Sequence, residues 1–202
     1  MRGWRMELRR ALRSSLAAAL CALSVGCASY RGTARDAEAT RIASDAGWIR
    51  VEAVPVVRQH GQKDCGAAAL SAVLGYWGRE VSVAEIDTAA RRASERGIRA
   101  EQLRRYAEAK GLSAFVFFGK FEDIEYELAR GRPVIVGTAK PMSSDEALAH
   151  YEVVVGYHPK RRKVLTVDPA RGLREYELEG FLAEWGPTQH LTLVVFEAKT
   201  SG

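Results

Sequence analysis

The thiol of Cys65 stands in the stretch QHGQKDCGAAALSAVLGYWG, residues 59–78, at the point where a polar run gives way to an apolar one. The residues from Cys65 onward are rich in Ala and Leu. They predict a core helix over 65–77, with Leu70, Val73, Leu74 and Trp77 on one face and Gly78 ending it. A cysteine that opens a helix sits among free backbone N–H groups at the positive end of the dipole, where a thiolate is favoured. Asp64 is placed to cap that helix, and Gly66 leaves the approach to the sulfur open. The other reading of such a thiol is an inert, buried one. Nucleophilic chemistry would need an imidazole, a group to orient it, and donors for an oxyanion.

Of the four histidines, His60 lies in the loop before the helix, His158 follows VVVGY, and His190 precedes the last apolar run. His150 differs, because it begins the strand-like run HYEVVVGYH and so belongs at the rim of a sheet. Asp168 ends the next predicted strand, VLTVD, and PKRRK between the two reads as a solvated turn. In a hairpin the start of one strand lies beside the end of the next, which makes His150 and Asp168 neighbours by order alone. No C-x-x-C or H-x-x-x-H pair accompanies Cys65, His60, His150 and Asp168, so no metal centre is expected. There is no phosphate loop or dinucleotide fingerprint either, and no cofactor is expected.

The elements that must position these groups change character along the chain. Residues 48–57 (WIRVEAVPVV) alternate as a strand with Pro55 at an edge; SVAE from Ser82 is a capping box opening a helix to Ser94; RAEQLRRYAEAKG gives a third helix stopped by Gly111. Strands then dominate: LSAFVFF, RPVIVGTA, the two runs around His150 and Asp168, REYEL and HLTLVVFE, interrupted by the short helices FEDIEYELARG and EGFLAEWG. Helices first and strands after is an α+β pattern, an N-terminal helical layer packed on an antiparallel sheet. Tyr76, Trp77 and Trp185 read as core residues rather than substrate platforms.

The N-terminus carries its own signals. Arg2, Arg5, Arg9, Arg10 and Arg13 precede SSLAAALCALSVG, an uncharged apolar stretch too short to span a membrane and of the right length for a signal-peptide core. LSVGC resembles the lipobox of bacterial lipoproteins, whose cysteine, here Cys27, is acylated; Ser24 stands where leucine is usual. The expected organisation is a signal peptide over 1–26, a polar tether over 27–47 and one domain over 48–198. Ala28 after the cysteine matches the outer-membrane default in such lipoproteins. The expected place is the cell envelope, on the outer membrane or facing the periplasm, with the lipid as membrane anchor. Beyond Arg13 the chain holds 25 basic and 24 acidic side chains, which removes the nucleic-acid reading that a net +5 would suggest. With Cys21 removed and Cys27 acylated, Cys65 is the remaining thiol; an unacylated Cys27 could instead pair with it.

QHGQKDCGAAAL, HYEVVVGY and VLTVDPARG together resemble the papain-like cysteine peptidases that remove double-glycine leaders from bacteriocin precursors, over about Val51 to Phe196. The resemblance implies a papain-like α+β fold and a peptide or protein substrate. It assigns Cys65 as nucleophile, His150 as general acid and base, Asp168 as its orienting group and Gln59 as oxyanion donor. In that family the domain often belongs to a peptide-exporting ABC transporter, so an exporter is the implied partner; this chain would be a stand-alone, exported member. Glu152 departs from the pattern, standing where an apolar residue is usual and placing a charge toward the site or solvent. Cleavage after small or glycine residues is the specificity the resemblance suggests. Two other functions fit the same residues: a non-catalytic peptide-binding envelope lipoprotein, and a thiol acyltransferase or amidase.

Overall fold

The structure is a computed structural model that describes residues 29–91, 97–143 and 146–198. The signal stretch and Cys27 lie outside these residues, as do positions 92–96, where the helix from Ser82 was expected to run on. No helix among the described residues is long and apolar enough to cross a membrane.

The chain forms β1 (Arg35–Asp36), α1 (Ala39–Ser44), β2 (Ile49–Arg50), α2 (Cys65–Tyr76), α3 (Val83–Ala90), α4 (Ala100–Ala109), β3 (Ser113–Phe118), α5 (Phe121–Leu128), β4 (Val134–Lys140), β5 (Leu148–His158), β6 (Lys163–Asp168), β7 (Gly172–Glu177), α6 (Leu178–Trp185) and β8 (Leu191–Phe196). The sheet runs β1-β7-β6-β5-β4-β8-β3, antiparallel throughout, with β2 added to β5. The α+β, papain-like arrangement expected from the sequence is present.

Alternation along the central strands builds two cores. Ile135, Val153, Val155, Leu165 and Leu193 pack with Leu70, Leu74, Ile86 and Leu103 of the helical layer α2–α4. Val134, Val136, Val154, Val164 and Val194 pack on the other face, with Ile124 and Leu128 of α5 and Phe181 and Trp185 of α6. Both faces of the sheet are therefore covered, where the sequence led us to expect a helical layer on one. Gly78 and Gly111 end α2 and α4 at φ +72° and +83°, conformations that a Cβ would strain. Ser82 accepts the Glu85 N–H at 3.1 Å; the Glu85 carboxylate, rather than closing the box, binds Tyr106 and Lys110.

Two expectations are corrected. Of the strand read over 48–57, only Ile49–Arg50 forms a strand; Ala53 at φ 62° turns the backbone, and Val54 and Val57 lie outside any strand, packed on the core. The segment read as a tether is folded onto the domain from Ser29. Ser29 and Ser143 bond reciprocally, Tyr30 bridges Met142, β1 pairs β7, and Ala34 and Ile42 are buried.

Candidate active site

Cys65 is the first residue of α2, only 7% exposed, and its backbone N–H falls in the first turn, where the helix supplies no acceptor. Asp64 does not cap this helix with its side chain. Its carboxylate instead takes the N–H groups of His60 and Gly61, at 3.1 and 2.9 Å, and so shapes the loop leading to the cysteine. That loop is tied in turn to the Asp168 turn, the Gln59 N–H donating to the Pro169 carbonyl at 3.1 Å.

β5 begins at Leu148, two residues before its expected start, so His150 is an internal strand residue opposite Thr138 of β4. The β5–β6 hairpin pairs Val153 with Val167 and brings the end of β6 to the same rim, where the Asp168 carboxylate accepts from His150 Nε2–H at 2.8 Å. Asp168 Oδ1 also accepts the Ala170 N–H at 2.7 Å. Cys65 lines the same cleft as His150 and is among the groups that act on the imidazole. Since Nε2 faces Asp168, Nδ1 is the nitrogen left for the thiol. Burial alone would lower the His150 pKa, but the hydrogen bonds and charges of Asp168 and Cys65 outweigh it and hold the imidazole above its ordinary value. Burial would likewise raise Asp168; the His150 bond and charge, the Lys140 charge and the Ala170 N–H bring it below the usual carboxylate value.

His150 and Asp168 thus meet, and Cys65 lines the same cleft as His150. Gln59 sits apart from them in contact terms: its amide donates to the Gly61 carbonyl at 2.8 Å, while its Oε1 is buried without a partner. Gln62 and Lys63 are the loop residues that line the Cys65 cleft. This cleft is small, 230 Å³, and three of its lining residues are Gly66, Gly97 and Gly137. A Cβ on Gly66 would stand 3.1 Å from the Tyr151 ring, and one on Gly137 would stand 2.9 Å from Leu191. Thr138 adds a buried hydroxyl with no partner, a residue that the sequence did not single out; its place across from His150 depends on the β4–β5 register. A larger hollow of 760 Å³, beside Glu85, Tyr106 and Lys110, holds none of the reacting groups.

Glu152 points neither to solvent nor to the thiol. It is fully buried, with Lys140 and Tyr176 on Oε1 and Thr166 on Oε2 at 2.5 Å. Lys140 reaches Glu184 as well, at 3.1 Å, and Tyr30 donates to Glu184 at 2.5 Å. His150, Glu152 and Asp168 each offer a ligand atom within 4.8 Å of the others, a cluster that sequence spacing could not show. Those donors are already engaged with one another and with Lys140, whose ammonium occupies the cationic role.

A family model described as Peptidase C39 family matches residues 53–199. Among solved structures, the chain is similar to a double glycine motif protease from an AMS/PCAT transporter in complex with the leader peptide, at 23% identity over 74% of this chain and 94% of that one, TM-score 0.59. It is similar to the peptidase domain of Streptococcus ComA, a bifunctional ABC transporter of a quorum-sensing pathway, at 21% identity over 72% and 100%, TM-score 0.60. It is also similar to a C39-like peptidase from Bacillus anthracis, at 15% identity over 76% and 99%, TM-score 0.63. At these identities the likeness is one of fold. A search of curated proteins found no match.

Proposed function

Because the chain belongs to the peptidase C39 family, and is therefore a cysteine peptidase, we propose that Cys65, His150 and Asp168 are its catalytic triad and that it cuts after small residues. The observation that supports this reading is the 2.8 Å hydrogen bond of His150 Nε2 with Asp168, at the edge of a cleft that Cys65 and His150 line together. The Cys65 thiolate attacks the scissile carbonyl, and the carbonyl oxygen takes the negative charge. The Cys65 backbone N–H and the Gln59 amide, which has a second N–H beyond the one given to Gly61, stabilise that oxyanion. His150 Nδ1–H protonates the leaving amine as the C–N bond breaks. Water then adds to the thioester while His150 takes its proton, and the thiolate leaves. Asp168 keeps the ring oriented and its charge compensated in both steps.

The small volume of the cleft, 230 Å³, supports the small-residue preference. Mass spectrometry of products from matched peptides carrying Gly-Gly or Leu-Leu before the cut tests both parts. Cleavage of the Gly-Gly peptide that disappears in Cys65→Ala supports the reading. Equal rates on the two peptides would remove the specificity, and transfer to an added amine in place of hydrolysis would make the enzyme an acyltransferase.

We propose further that the enzyme is exported and anchored by lipid on Cys27, on the evidence of the arginine-rich start, the 13-residue apolar stretch and LSVGC. Release of Cys27→Ser from the membrane fraction is the expected result; a membrane association unchanged by that substitution would refute the anchor.

A further inference from the structure

The imidazole of His150 borders two cavities that have no other lining residue in common. One is the Cys65 cleft. The other, 460 Å³, is bounded by His150 and Asp168 on one side and by the folded N-terminal segment on the other. Tyr30, Met142 and Leu148 give it apolar walls, and Arg35, Arg171 and Arg174 give it three guanidinium groups. The charges within reach are unevenly matched. Arg174 is paired with Asp36; Lys140 is held by Glu152 and Glu184; Asp168 is held by His150. Arg35 donates only to the Gly32 and Ala34 carbonyls, and neither Arg35 nor Arg171 has an ion-pair partner among the described residues. The cavity therefore carries two uncompensated positive charges beside the group that protonates the leaving amine.

This direction has a chemical meaning. The acyl half of the substrate stays on Cys65, while the amine half must lie against His150 to receive its proton. The chain beyond the cut then passes the imidazole, and the 460 Å³ cavity lies beyond it from the Cys65 cleft, sharing only His150 with that cleft and with a volume in the range of small-ligand sites. We propose that this cavity is the subsite for the residues following the scissile bond, and that Arg35 and Arg171 select a carboxylate there, either an acidic side chain or a free C-terminus. The proposal rests on the peptidase reading above. A guanidinium fork matches a carboxylate with two parallel N–H···O bonds, while Tyr30 and Leu148 accommodate the apolar part of the chain.

The test separates this subsite from catalysis by reading binding first. Full-length Cys65→Ala protein is titrated calorimetrically with three product-like peptides bearing a free N-terminal amine: Ala-Asp-Ala amide, Ala-Asn-Ala amide and Ala-Asn-Ala with a free C-terminus. Comparing the last two isolates the terminal carboxylate; comparing the first two isolates the side chain. The carboxylate-bearing peptides are expected to bind about tenfold tighter, as one charge-assisted hydrogen bond would give, and to lose most of that margin between roughly 50 and 500 mM salt. The same margin should vanish when Arg35→Ala and Arg171→Ala are added. In the active enzyme, the ratio of kcat/KM for Asp over Asn after the cut should fall to about one in that double variant, and Arg171→Glu should turn the preference toward Lys. A matching thermal transition for each variant excludes misfolding. Equal binding of acid and amide peptides, or a margin that survives both Arg substitutions, overturns the proposal. So does binding of phosphatidylglycerol vesicles that depends on Arg35 and Arg171 where peptides show no preference, since it would assign the same groups to lipid. Carboxylate binding without cleavage of any peptide would leave the subsite standing and count against the peptidase reading instead.

Discussion

His150 meets Asp168 through Nε2, at 2.8 Å, a clamp that leaves Nδ1 as the nitrogen for Cys65, which lines the same cleft. The same clamp sets both how the ring is held and when it is charged.

The pH behaviour follows from the two directions of shift. His150 is raised, so its imidazolium persists above the ordinary value of about 6.5, and the alkaline limb of kcat/KM should lie above that value. In Asp168→Asn the bond and the charge that raise it are gone and burial acts in the opposite sense. The alkaline limb should then move down, with a loss of about 10²–10⁴-fold in kcat/KM. Stability carries the same signature. The contribution from raised His150 is present below its ordinary pKa and lost as pH rises through the raised one; that from lowered Asp168 is present above its ordinary pKa and lost as pH falls through the lowered one. Urea denaturation should show Asp168→Asn destabilised more at pH 5 than at pH 9. The reverse order would show that the pair is not ionised in the folded state.

Gln59 and Gln62 give opposite expectations. Gln59→Ala removes the proposed oxyanion donor and should lower kcat by about 10²-fold with little change in KM. Gln62→Ala, altering a residue that lines the cleft, should act mainly on KM. Kinetics on a cleaved peptide decide it: an unaffected kcat in Gln59→Ala together with a large loss in Gln62→Ala would transfer the role to Gln62.

The buried ion cluster makes a stability prediction. Lys140→Ala leaves the carboxylates of Glu152 and Glu184 in the core without their cation, a change that costs about 3–5 kcal/mol. Denaturant titrations of wild type and variant check this, and a deficit below about 1 kcal/mol would place the cost elsewhere.

What could be read from the sequence was what is local. The Cys65 helix declares itself in its Ala and Leu spacing and in Gly78. His150 and Asp168 come together because a short basic turn joins two apolar runs, and antiparallel pairing of a hairpin leaves one geometry for their ends. What was hidden depends on partners distant in sequence. Glu152 looks like a charge facing the site or solvent until Lys140, Thr166 and Tyr176 converge on it, 12, 14 and 24 residues away. The segment from Ser29 looks like a polar tether because it is small and hydrophilic; it is held by backbone pairing and by Tyr30 on Glu184, 154 residues along the chain, and neither leaves a periodic apolar signature. The run 48–57 alternates as a strand would, but it spends the pattern on packing Val54 and Val57 while Ala53 breaks the ladder.

The docking of Ser29 against Ser143 fixes more than the wall of a cavity. Two peptide units separate Ser29 from Cys27, a reach of about 7 Å at full extension. Acylated at Cys27, the enzyme would not swing on a long leash above the bilayer; its leaving-side cavity would ride close over the headgroups at a nearly constant height. Substrates emerging from the membrane, or held to it, would then be met by diffusion in two dimensions, whereas a freely soluble peptide would have to find an opening turned toward the surface.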